Sequence, residues 1–169
     1  MSALPIVAIT MGDPASIGPE ITIKALAGHT DVYDQCKPLV IGDASVMENA
    51  KKFLPDFANV TIHAVDKVED ATFTPGIIDV YDMKLVNLPE LEIGKVSVMA
   101  GNAAFQYVKK AIEMAMAGEV DGTVTNALNK EAMNLAGHHF SGHTEIYAHY
   151  TGTKKYCMML AHKNMRVTH

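Results

Sequence analysis

The chain of 169 residues carries no tryptophan and only two cysteines. Cys36 and Cys157 lie far apart and outside any CxxC spacing, which leaves no basis for a disulfide framework, a zinc ribbon or a dithiol redox motif. Both are expected to be reduced, buried thiols of a cytoplasmic protein. No apolar run reaches the length of a membrane span, and the opening MSALPIVAITMGDP has no basic region and too short an apolar stretch for a secretory signal. No long basic block is present and the net charge is −5, so neither nucleic acid nor a membrane surface is an expected partner. Familiar catalytic signatures are missing too. Phe140 follows His139, so there is no HExxH; the glycine-rich segments match neither GxGxxG nor the GK[ST] of a P-loop.

What is present is a globular composition, with 49% hydrophobic and 20% charged residues. Short apolar runs recur between helical patterns. Pro5–Thr10, Pro38–Ile41, Val60–Val65, Ile77–Tyr81, Asp121–Thr125 and Tyr156–Leu160 read as strands, most of them buried, and Met165–His169 as the start of another. Helices are expected from Pro19 to about Ala27, Ala44 to Phe53 and Ser97 to Ala117, with a short one following Lys130 up to Leu135 and another opened by the His143-Thr144 pair and ended by Thr151-Gly152-Thr153. Ser97–Ala117 is the clearest. Phe105, Val108, Ile112 and Met116 recur at helical spacing, Lys109, Lys110 and Glu113 fall opposite, and Gly118 ends the helix. The alternation predicts a three-layer α/β/α fold around a largely parallel sheet.

Polar, titratable chemistry concentrates near the end, where six of the eight histidines lie between His138 and His169. The stretch Phe140-Ser141-Gly142-His143-Thr144-Glu145 places an imidazole and a hydroxyl where a helix opens. Free N–H groups in that first turn suit an anion such as phosphate. Thr144 serves equally well as a plain N-cap. His139 and His143 stand four apart, a spacing that binds zinc on a helix, but Gly142 interrupts the helix they would share. His63, inside a strand, reads as a satisfied half-buried residue. Asn129 and Lys130 read either as a cap with a solvated lysine or as ligand contacts at the carboxyl end of a strand. The segment Met11–Glu20 is a structural turn or a ligand loop.

TMGDPASIGPE, TNALNKEAMN, SGHTEIYA and YCMMLAHKNMRV, in that order, resemble the 4-hydroxythreonine-4-phosphate dehydrogenase (PdxA) family from about Ile6 onward. Ser16 stands where most members have glycine, and Asn129-Lys130 is closer to the branch acting on D-threonate or D-erythronate 4-phosphate. The resemblance implies an isocitrate/isopropylmalate dehydrogenase-like fold and a cytoplasmic homodimer. It implies NAD-dependent oxidation of the 3-hydroxyl of a 4-phosphorylated four-carbon hydroxy acid, with a divalent metal polarising that hydroxyl and decarboxylation following. It assigns substrate binding to His143 and Thr144. It assigns no catalytic, cofactor or metal role within this chain: the metal ligands are expected beyond residue 169, and His169 is not one of them. On this reading residues 1–169 are the N-terminal portion of a longer enzyme, inactive alone. The alternatives are a non-catalytic phosphometabolite-binding module and a dimerisation fragment built on the alanine-rich face of Ser97–Ala117.

Overall fold

A computed structural model describes residues 3–168. Five parallel strands form the main sheet: β1 (Ile6–Thr10), β2 (Lys37–Gly42), β3 (Thr61–Val65), β4 (Ile77–Asp82) and β5 (Gly122–Thr125). Their spatial order is β3-β4-β2-β1-β5. Helices α1 (Gly18–Gly28) and α2 (Ala44–Ala50) cover one face. The long α3 (Val98–Ala117) covers the other, against β1, β2 and β5. The result is the expected α/β layering with helices on both faces, as parallel sheets require. The strand behind PLVI is the most deeply buried; Leu39, Val40 and Ile41 are wholly inaccessible.

The chain leaves β1 toward β2 on one side, whereas β5 joins β1 on the other. The loops after β1 and β5 therefore diverge and leave a crevice at the carboxyl ends of these strands, where α/β sheets bind ligands. Register sets its floor. Thr10 pairs with Ile41 on one side and Thr125 on the other, so all three strands finish at one height. The two loops are then stitched together. Asp13 N–H donates to the Ala127 carbonyl (3.0 Å), the Asn126 N–H to Thr10 Oγ1 (3.2 Å), and Asn126 Nδ2 to Thr22 Oγ1 (2.7 Å). Gly12 permits this approach: its φ is +80°, and a Cβ there would lie 2.7 Å from the Ala127 carbonyl oxygen.

Gly118 ends α3 with φ +76°, as the sequence predicts, while Ser97, expected as its first residue, instead caps it by accepting from the Ala100 N–H. Met116 does not join the core face; it is 64% exposed near the end of the helix. The second helix is shorter than Ala44–Phe53: its α-helical part stops at Ala50 and Lys51–Phe53 tighten into a 3-10 turn. His63 is half-buried and satisfied, as its strand position implies, with Nδ1 2.7 Å from Asp79 Oδ1.

Two larger corrections concern the last described residues. Tyr156–Leu160 is not a buried strand. Strand β6 runs Met159–His162, pairs antiparallel with β7 (Met165–Thr168), and the hairpin is exposed throughout. Cys157 is accordingly exposed rather than buried, while Cys36 is half-buried and donates to the Val32 carbonyl. An apolar run specifies a strand but not what covers it. His169 lies outside the described residues.

Buried Asp43, just after β2, ties the two helical layers. Tyr107 Oη donates to Asp43 Oδ1 (3.0 Å) and the Val86 N–H to Oδ2 (2.6 Å). Burial pushes the carboxyl pKa up, and these donors oppose the shift. Tyr107→Phe removes one donor from a buried carboxylate and should cost about 1–3 kcal/mol. Denaturant unfolding checks this; a midpoint unchanged from wild type contradicts it.

Candidate functional site

The His-Thr pair is positioned by a second, smaller core. Helix α4 (Lys130–Leu135) and helix α5 (His143–Thr151) both pack on α3. Phe105, Val108, Ile112, Met133 and Ile146 close the space between them. Ile146 is wholly buried, a contribution of about 1.5–3 kcal/mol to holding α5 in place. Tyr147 Oη donates to Thr123 Oγ1 (2.8 Å) and fixes the helix against β5. Gly101 lets α3 and α4 touch, since a Cβ there would sit 2.1 Å from the Ala132 carbonyl.

Helix α5 starts at His143 with Gly142 as its N-cap residue, and no side chain caps it. Thr144 is thus the second helical residue and not the N-cap, which corrects one reading of the sequence. The first carbonyl engaged is that of Gly142, by the Ile146 N–H (3.3 Å). The N–H groups of His143, Thr144 and Glu145 have no intrahelical acceptor and carry the positive end of the helix dipole. His143 Nε2 is buried and has no hydrogen-bond partner among the described residues. A buried polar atom left unsatisfied in this way calls for an explanation, and a ligand supplies one. Burial lowers the imidazole pKa; the Asn126 backbone opposes that shift, and the Lys130 charge adds to it.

Two charges flank this helix end. A Cβ built on Gly142 would lie 3.6 Å from Glu145 Oε2 and 3.8 Å from Lys130 Cε. Lys130 opens α4, and its neighbour Asn129 caps that helix, accepting from the Ala132 N–H at 3.1 Å. The cap reading of Asn129 is therefore correct, and the lysine beside it faces the His-Thr end of α5. The other histidines disperse. His138 stacks on Phe105, ring centroids 3.7 Å apart, and its Nε2 is 2.9 Å from Asn102 Oδ1. His139, His149 and His162 are exposed. Among the described residues no three His, Cys, Asp or Glu side chains gather as a metal site. No helix among them is long and apolar enough to cross a membrane.

Burial lowers the pKa of both His143 and His138 below the ordinary imidazole value of about 6.5. A lowered histidine favours the neutral folded form. Its contribution to stability is complete above about pH 6.5 and is lost as pH falls through the folded-state value. His143→Gln should therefore lose less stability than wild type between pH 7.5 and 5.5. Parallel Tm-against-pH curves for the two proteins contradict this.

The sequence offers His143 and Thr144 as candidates but gives no sign of the Tyr147–Thr123 hydrogen bond or of His138 stacking on Phe105. The hydrogen-bond partners of Tyr147 and His138 lie 24 to 36 residues away, beyond any local pattern.

Comparison with known proteins gives the chain relatives. The family described as pyridoxal phosphate biosynthetic protein PdxA matches residues 34–169. The D-threonate 4-phosphate dehydrogenase of Cupriavidus necator is 43% identical over 167 residues, which cover 98% of this chain and 49% of that protein. The crystal structure of a 4-hydroxythreonine-4-phosphate dehydrogenase from Burkholderia phymatum superposes with a TM-score of 0.90 at 42% identity, covering 99% of this chain and 49% of that one. The corresponding Klebsiella pneumoniae structure gives 0.86 at 35% identity, covering 99% of this chain and 50% of that one. The chain spans about half the length of the relatives it matches. The match over residues 34–169, most of the sequence, shows that the chain belongs to the PdxA family.

Proposed function

We propose that this chain forms the N-terminal portion of an NAD-dependent dehydrogenase acting on a 4-phosphorylated four-carbon hydroxy acid, with His143 and Thr144 binding the substrate. The observation that carries the reading is His143 Nε2, buried and without a partner at the uncapped start of α5. The names of the relatives, D-threonate and 4-hydroxythreonine 4-phosphate dehydrogenases, give the substrate class.

The site's own residues do the following. The first-turn N–H groups of α5 and the Thr144 hydroxyl donate to substrate oxygens. With its hydrogen, Nε2 donates to an anionic oxygen; without it, the same atom accepts from a hydroxyl. Lys130 supplies positive charge on the same side and offsets Glu145. NAD, when bound, would take the hydride from the 3-hydroxyl carbon while the hydroxyl proton passes to a base, leaving the 3-oxo acid. The 3-oxo acid then loses carbon dioxide, because the β-ketone stabilises the developing enolate. A divalent metal polarising the hydroxyl belongs to the proposal. The described residues do not fit one, so its ligands are assigned beyond residue 169 and no step here is routed through it. The switch-point crevice is the place this sheet offers a nucleotide.

The exposed apolar residues of the β6–β7 hairpin, Met159, Leu160, Met165 and Val167, and exposed Val124 on edge strand β5 support assigning the rest of the enzyme, or a second subunit, to these surfaces. Relative kcat/KM for D-threonate 4-phosphate, D-erythronate 4-phosphate and 4-hydroxy-L-threonine 4-phosphate, measured on a protein continuing past residue 169, tests the substrate. We expect one of the two hydroxy acids to be preferred. A hundredfold preference for the amino substrate, about 2.7 kcal/mol, contradicts it.

A further inference from the structure

Beside the loop after β1 lies a polar cavity that the His-Thr pair does not line. Its volume is about 220 Å³, and Asp13, Ser16, Glu20 and Asn129 contribute its polar side chains. Asp13 is the key group. It is only 3% exposed, yet just one carboxylate oxygen is satisfied: Oδ1 accepts from the Ala15 N–H at 2.8 Å. No hydrogen bond reaches Oδ2 from the described residues. Asp13 itself lines the cavity. Burial raises this carboxyl pKa and the Ala15 N–H only partly offsets it, so the folded protein bears a cost that a ligand donating to Oδ2 would relieve.

The lining sets the chemistry of that ligand. Asp13 and Glu20 accept. Asn129 uses its oxygen to cap α4, which leaves its Nδ2 hydrogens to donate, and Ser16 does either. Lys95 also lines the cavity but is already paired with Glu92. The other wall is apolar, from Ile17, Ile93 and Val96. Acceptors and donors together, with no free cation, disfavour phosphate or carboxylate and suit hydroxyl groups, each of which donates and accepts. Of two adjacent hydroxyls, one can donate to Asp13 Oδ2 while its neighbour accepts from Asn129 Nδ2. The larger surface depression bounded by Ser45, Glu48, Lys51 and Leu88 has no buried polar side chain comparable to Asp13.

We propose that the Asp13 cavity is a subsite for a vicinal diol, engaged through Asp13 Oδ2 and Asn129 Nδ2. The choice of ligands rests on the proposed function, which offers two sources of that chemistry: the adjacent hydroxyls of a threonate-type substrate and the ribose of a nicotinamide dinucleotide.

Titration calorimetry on the full chain with D-threonate 4-phosphate and, separately, with NADH tests this. Asp13→Asn keeps an acceptor for the Ala15 N–H but replaces the free acceptor with a donor. The expected result is a Kd raised at least tenfold for one ligand and within twofold of wild type for the other; the affected ligand identifies the source of the diol. Should Asp13→Asn lower Tm and weaken both equally, Glu20→Gln on the cavity rim decides: a Kd raised severalfold for one ligand alone supports the subsite, and no change overturns it. Both Kd values within twofold of wild type in Asp13→Asn overturn it, as does a wild type that binds neither. Failure of the proposed function looks different: His143→Ala then leaves D-threonate 4-phosphate binding intact, whatever Asp13→Asn does.

Discussion

Gly101→Ala is expected to lower Tm by roughly 6–12 °C, corresponding to about 3 kcal/mol or more. A Cβ at residue 101 would stand 2.1 Å from the carbonyl carbon and oxygen of Ala132 and meet the Met133 nitrogen at 2.6 Å. These are backbone atoms, so no rotamer change relieves the clash. Helix α4 must move away from α3 or the contact must open. Movement of α4 would carry Lys130 and the Asn129 cap with it, and would loosen the Phe105–Met133–Ile146 cluster on which α5 rests. The variant should therefore lose ligand binding as well as stability. A thermal melt within 2 °C of wild type would show that the two helices are not packed as closely as described.

The second large effect is at His143. His143→Ala removes the one buried polar atom of the described residues that lacks a partner. Since no internal hydrogen bond to Nε2 is broken, stability should fall modestly, by the lost packing and the lost contact with the Asn126 backbone. Ligand affinity should fall far more. A hydrogen bond to a charged group contributes about 1.5–3 kcal/mol, so the Kd for D-threonate 4-phosphate should rise by roughly 10- to 150-fold. In a protein continuing past residue 169, metal affinity should stay near that of wild type. Loss of metal with unchanged substrate binding would return the histidine to a ligand role.

Much of this arrangement is legible in the residues because it depends on local signals. Ser97 and Gly118 bracket α3, Asn129 caps α4, and Gly142 separates His139 from the helix that His143 opens. The buried run at Leu39–Ile41 needs no partner to be recognised as a central strand. Other features depend on what a segment meets. Met116 satisfies the helical spacing yet projects beyond the edge of the core. Tyr156–Leu160 has the composition of a buried strand, but the described chain lays nothing over it. Thr144 and Gly142 compete for the N-cap, and spacing cannot separate positions two residues apart. Asp13 appears in the sequence as part of a turn; only the approach of the β5 loop buries it in the lining of a cavity.

The account turns on whether the start of α5 receives the phosphorylated end of a small hydroxy acid. Backbone amide NMR of the chain, titrated with D-threonate 4-phosphate and with unphosphorylated D-threonate, addresses this most directly. The account predicts saturable shifts at the His143, Thr144 and Glu145 amides with the phosphorylated acid, and much weaker ones with D-threonate. Equal responses to both acids, or a phosphate-dependent response confined to other residues, would contradict it.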